Sequence, residues 1–234
     1  MVGMGTTVLA SPATVITDVG HKWYYFSMLG LLFQNPLAFV VIFGGLVIAI
    51  GIHEAAHCFM ADYLGDPTPR SLGRTTLNPL AHLDPLGTLV ILVTGVFGWG
   101  KPAPFDPYNL RHPQRDTALI ALAGPVTNIL LAILVSLLWR ILPIPSSLTA
   151  VFYFLVRINV SLALFNLIPV PPLDGSKVLA GVLNRNISRD FENFAGGNSL
   201  LLLFLLLLPI FGGQSIATLI ISPLANILLR FLIP

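Results

Sequence analysis

From residue 36 to residue 64 the chain is almost continuously apolar. As a helix rising about 1.5 Å per residue, this stretch is long enough to cross a hydrocarbon core of about 30 Å. A run of this kind settles the class of fold before any other feature does, because a small soluble domain has no core large enough to cover it. Two further runs follow at 117–142 and 148–169, joined by the short Pro143-Ile144-Pro145-Ser146-Ser147 connection. The composition agrees: 55% of residues are hydrophobic and 9% charged, against about 25% charged in soluble domains, with a mean hydropathy of +0.86. The expectation is an all-α polytopic membrane protein.

Asn35 and Pro36 make a plausible helix start and Gly65 a natural stop for the first run. Residues 1–22 lack a basic start followed by an apolar block, so no cleavable signal peptide is expected. The chain then divides into an N-terminal arm at 1–35, non-spanning or interfacial, a core at 36–197, and a C-terminal helical hairpin at 198–234. The hairpin turns at Gly212-Gly213-Gln214-Ser215 and is a candidate gate. Residues 86–99 are apolar and contain Gly87, Gly95 and Gly98. As a helix they would reach only about 21 Å, too short for a crossing, so a re-entrant segment, helical or β, is expected. Such irregular backbone survives at membrane depth only where protein or a wet cavity covers it.

Charge placement supports the dip. If 86–99 returns to its starting face, the loops 65–85 and 100–116 lie on one side together with 170–197. These regions hold Arg70, Arg74, Lys101, Arg111, Arg115, Lys177, Arg185 and Arg189, eight of the twelve Lys and Arg, whereas the 143–147 connection holds none. The positive-inside rule makes that side cytoplasmic. The basic residues are scattered and form no massed patch, so no nucleic-acid partner is expected. The single cysteine, Cys58, excludes an internal disulfide and reads as a small buried apolar group.

Within the first run stands His53-Glu54-Ala55-Ala56-His57. Histidines four apart share one helix face and can reach a single ion, with Glu54 about 100° round beside them. In a zinc hydrolase two neutral imidazoles and a third protein ligand hold Zn²⁺ with one position open, and a nearby carboxylate acts as general base. A chance match is the competing reading in a soluble helix. In a membrane span, ionisable groups cost about 2.5–3.5 kcal/mol each and usually face a partner or cavity. The third ligand must come from a segment that topology returns to the same depth. Asp174, at the end of the 148–169 run, is the best candidate: Pro169, Pro171 and Pro172 break the helix there, and Gly175 allows close backbone approach.

The chain here resembles the site-2 proteases, a family of intramembrane zinc metalloproteases. The resemblance rests on His53-Glu54-Ala55-Ala56-His57 and on the 166–175 stretch Asn166-Leu-Ile-Pro-Val-Pro-Pro-Leu-Asp174-Gly175. It is supported by 78–88 (NPLAHLDPLGT) and 121–128 (ALAGPVTN). It implies that His53, His57 and Asp174 bind Zn²⁺, that Glu54 is the catalytic base, and that Asn166 holds substrate backbone or the oxyanion. Gly124, Pro125 and Asn128 match a family motif on the middle core helix, where close packing and a polar contact for Asn128 are equal readings. The expected form is minimal, without a PDZ insertion or a nucleotide-sensing domain.

His82 and Asp84 form a His-x-Asp pair, readable as a second metal site, as support for the zinc, or more simply as a loop anchor. Arg157, within a span, must find a partner or water. The expected function is hydrolysis of peptide bonds within transmembrane helices, at a site near the cytoplasmic face of a prokaryotic cell membrane. Its partners are a transmembrane protein substrate, the lipid bilayer and, for self-association, a second copy. A divalent-metal transporter is the rival from another class, but it needs a relay of ligands through the membrane, whereas the ligand set here is concentrated near one face and the opposite side of the 36–64 helix shows only apolar residues and glycine. An inactive scaffold is the third reading, against which no expected chemical residue is missing.

Overall fold

The computed structural model describes residues 28–94 and 98–234; the arm expected at 1–35 therefore lies mostly outside the described residues. Helix α1 (Met28–Gln34) leads into α2 (Pro36–Tyr63). Asn35 starts α2 by accepting a 3.0 Å bond from Ala38 N, Pro36 needs no donor in the first turn, and Gly65 takes φ 105° just past the end. Both ends thus fall where the sequence places them. After these come α3 (Thr68–Ser71), α4 (Pro85–Thr94), α5 (Pro113–Ile141), α6 (Thr149–Asn166), α7 (Asp174–Val182) and α8 (Arg185–Leu207). A small antiparallel pair, β1 (Pro209–Phe211) and β2 (Gln214–Ser215), then leads to α9 (Ile216–Leu232).

Among the described residues three helices, 36–63, 113–141 and 146–166, are long and apolar enough to cross a membrane. Helix α5 is the hub, packing on α2, α6 and α7. Ala61, Leu110 and Ile120 fill the α2–α5 side, and Ala132, Val156, Val160, Ala225 and Leu229 join α5, α6 and α9. Large apolar side chains such as Leu37, Val40, Ile48 and Leu130 point outward, as lipid rather than water would favour. The chain is an all-α polytopic membrane protein.

The 86–99 segment begins as helix α4, not as a strand, and it returns. Leu83 bridges Gly100, and Lys101 N donates to His82 O at 2.7 Å, so entry and exit meet. A Cβ on Gly87 would sit 2.2 Å from Trp99 O, so only glycine permits this approach. Asp84, the second half of the His-x-Asp pair, caps α4 by accepting from Gly87 N at 2.8 Å. The loops flanking the dip are locked by Asp66, which is fully buried and accepts from Thr68 N, Thr68 Oγ1, Asp106 N and Asn109 Nδ2. Burial alone would raise its pKa; these four donors outweigh that and hold the carboxyl below its usual range.

Two elements differ from expectation. The C-terminal hairpin does not begin at 198: α8 starts at Arg185, capped by Asn184 accepting from Ile187 N at 3.0 Å. The polar first half of α8 (185–195) reads as loop by composition, but it continues straight into the apolar turns. The hairpin break itself is a β turn with Gly212 and Gly213 at φ 59° and 82°. The second difference is α7, a helix beginning at Asp174, where the prolines and Gly175 suggested only a turn.

Candidate metal centre

His53 and His57 lie on the buried face of α2, their rings edge to face with centroids 4.7 Å apart. Asp174 opens α7 with its side chain 12% exposed, placing Oδ2 3.1 Å from His53 Nε2 and 3.3 Å from His57 Nε2. Glycines make this convergence possible. A Cβ at Gly124 would lie 2.5 Å from His57 Nε2 and 2.7 Å from His53 Cε1, so α5 can lie flush against the imidazole pair. At Gly175 a Cβ would lie 2.2 Å from Leu167 O, so only glycine lets the start of α7 sit against the end of α6.

The protonation pattern of the pair is set by its other contacts. His57 Nδ1 donates to Ile120 O at 2.7 Å, and His53 Nδ1 donates to Asn128 Oδ1 at 2.6 Å. The Asn128 amide cannot be turned the other way, because its Nδ2 donates to Asn159 Oδ1 (2.9 Å) and Ala49 O (3.3 Å). Asn159 is fixed in turn by donating to Leu155 O at 2.9 Å. With both Nδ1 protons committed, both Nε2 atoms present lone pairs toward a carboxylate oxygen. Three electron-rich atoms, all within 4.8 Å of one another, therefore face one point. That is unfavourable unless a metal ion, or a proton on one Nε2, sits between them. A tetrahedral Zn²⁺ with bonds of about 2.0–2.1 Å has donor-to-donor edges of about 3.3 Å, close to the two imidazole–carboxylate spacings, so the donor set fits the ion. His53, His57 and Asp174 are the group able to hold a metal among the described residues.

Glu54 stands beside the group with Oε2 accepting from Ala103 N at 3.1 Å. Oε1 has no hydrogen-bond partner among the described residues. Ala103 lies between Pro102 and Pro104. The prolines have no N–H, and the residue before a proline is driven to extended backbone, so this stretch offers Glu54 the Ala103 amide.

The other sequence-derived candidates divide. Asn128 accepts from His53 Nδ1, and Gly124 leaves room for α5 to lie against the imidazole pair. His82 is fully buried but serves the loop: it donates from Nε2 to Thr76 O at 2.8 Å, and its Nδ1 faces Arg74, which also donates to Lys101 O at 2.7 Å. Burial and the Arg74 charge push its pKa down. These contacts match loop anchoring rather than a second metal site. Asn166, at the end of α6, turns its amide back to Leu162 O at 3.0 Å. Arg157 is exposed and donates to Tyr153 Oη at 3.1 Å, and Cys58 is buried. The sequence reading missed Asn159, although an uncharged polar side chain in a membrane span is itself a signal.

Comparison with known proteins bears on this site. The model of peptidase family M50 matches residues 142–208. Rip2 of Mycolicibacterium smegmatis is 31% identical over 179 residues, 73% of this chain and 68% of the relative. The chain belongs to peptidase family M50. YwhC of Bacillus subtilis is 38% identical over 143 residues, 57% of this chain and 65% of that protein, so the chain spans just under two thirds of it. Both names place their proteins, provisionally, among the zinc metalloproteases. "Zinc metalloprotease MJ0392" of Methanocaldococcus jannaschii is 24% identical over 152 residues, 65% of this chain and 37% of the relative. No solved structure matches. As an M50 peptidase of the site-2 type, the chain is a metalloprotease by family, and zinc is the cation for which its donor group is suited.

The Asn159–Asn128–His53 chain yields a prediction. In Asn159→Leu, Asn128 loses its best acceptor and His53 its fixed orientation. Zinc affinity, read by competition with a chelator, should fall about 10- to 100-fold, and stability by about 1–3 kcal/mol. Unchanged affinity would mean that Asn159 acts only in packing.

Proposed function

We propose that the chain is an intramembrane zinc metalloprotease that hydrolyses peptide bonds within transmembrane helices of other membrane proteins. The observation that carries this reading is the convergence of His53, His57 and Asp174 at the end of a spanning helix, with Glu54 alongside. His53, His57 and Asp174 would hold the ion, which would supply Lewis acidity to water and to the substrate carbonyl. Glu54, steadied through Oε2 by Ala103, takes the proton of the attacking water on Oε1 and returns it to the leaving amine. Asn166 supplies a donor to the developing oxyanion once its amide rotates away from Leu162 O. A helical substrate shields its peptide bonds with its own hydrogen bonds, so it must unwind locally. Entry past the α8–α9 hairpin would admit it.

The basic loops at 65–85, 100–116 and 170–197 support a site toward the cytoplasmic side, and the bacterial and archaeal relatives support a prokaryotic membrane. The test uses purified full-length protein in vesicles with a single-span substrate: cleavage should stop on chelation and resume with added zinc. Movement of zinc across the bilayer without cleavage would instead make the chain a transporter. Zinc binding with neither activity would make it a scaffold.

A further inference from the structure

Apart from the metal centre, the start of α5 meets the α7–α8 junction in a cleft of about 430 Å³ lined by Arg111, His112, Arg115, Leu183, Asn184 and Arg185. The junction is fixed. Gln114 Nε2 donates to Ala180 O (2.7 Å) and Leu183 O (2.8 Å), tying the end of α7 to the start of α5. Gly181 sits so close that a Cβ would lie 2.2 Å from that of Ala118. Arg111, Arg115 and Arg185 make no ion pair or hydrogen bond among the described residues, where the Arg–carboxylate pair is Arg70 with Asp62. Asp116, the neighbouring carboxylate, is buried and turned to the helix start, accepting from His112 N at 2.9 Å. Three exposed guanidiniums, two from 111–115 and one from the start of α8, thus line one cleft with no anion of their own among the described residues.

We propose that this cleft binds a phosphate-bearing anion, the headgroup of an anionic phospholipid in the membrane. Guanidinium forks match phosphate oxygens in pairs, and Arg is less strongly hydrated than Lys. Pro113 begins a spanning helix, so the cleft lies at the level where a span leaves hydrocarbon and headgroups gather. Val182 and Ile187, 77% and 51% exposed beside the cleft, offer apolar surface to acyl chains. Free phosphate would have no use for that surface. Basic residues that served only to set topology would need no shared cleft.

The full-length protein in mixed detergent–lipid micelles, with native mass spectrometry of bound phosphatidylglycerol and phosphatidylcholine, tests the proposal. Wild type should prefer phosphatidylglycerol by about tenfold, and R111Q/R115Q/R185Q should bring the ratio to near one. R111K/R115K/R185K should keep part of the preference, and R230Q, at the other end of the bundle, all of it. Should the triple Gln variant fail to fold, the three single variants should each lower the ratio. If inorganic phosphate displaces the lipid and raises the melting temperature of wild type but not of the triple Gln variant, the site stands and its ligand is a soluble phosphate. A folded, zinc-replete triple Gln variant with an unchanged ratio overturns the proposal, as does an equal loss in R230Q.

Discussion

Glu54→Gln should retain stoichiometric zinc and lose about 10²- to 10⁴-fold in peptide-bond hydrolysis. The two side chains are nearly the same size, and a Gln carbonyl can still accept from Ala103 N, so the extended 100–104 stretch keeps its anchor. Glu54 is not one of the three converging donors, so the metal group is left intact. What disappears is the capacity to hold a proton: an amide at this position cannot accept one from water and deliver it to an amine. The paired readout is zinc per chain by elemental analysis and cleavage in vesicles. Full activity would remove Glu54 from the chemistry, and loss of zinc would make it a ligand instead of a base.

That Glu54 and the two histidines belong together could be read directly from the sequence, because spacing on a helix is local geometry and α2 has the ends that Asn35, Pro36 and Gly65 encode. Asp174 was reachable by a longer route: if 86–99 dips, the ends of α2 and α6 share a face, and the first acidic group after α6 falls beside the histidines. The Leu83–Gly100 bridge is the physical form of that step. What was hidden is contributed by backbone or by contacts across helices. Ile120 O and Ala103 N leave no mark in residue identity, apart from the prolines flanking Ala103. Asn159 was overshadowed by Arg157 two positions earlier, since a charge costs more in a membrane than an amide. The charge instead escapes to the surface beside Tyr153, and the amide is buried in the core. Helix α7 was obscured by the prolines before it, although its first residue is the proposed third ligand.

Asp174→Ala tests the convergence itself, and its sign is informative. With one donor gone, two imidazoles remain and no other carboxylate among the described residues completes the group. Zinc affinity should therefore drop by more than the about 10- to 100-fold typical of outer partners such as Asn159, and hydrolysis should be lost with it. In the metal-free protein the effect should differ. There Oδ2 lies 3.1 and 3.3 Å from the two imidazole Nε2 atoms, and a proton on one of them bonds the carboxylate in place of the ion. Removing the carboxylate gives up that bond together with about 0.3–1 kcal/mol from the negative charge at the start of α7. The metal-free variant should therefore melt no higher than metal-free wild type, and the rise in melting temperature that zinc gives wild type should vanish. A purely structural Asp174 would leave the response to zinc undiminished. The response to zinc, rather than the stability of the metal-free protein, therefore decides whether the fold positions these three atoms for the ion.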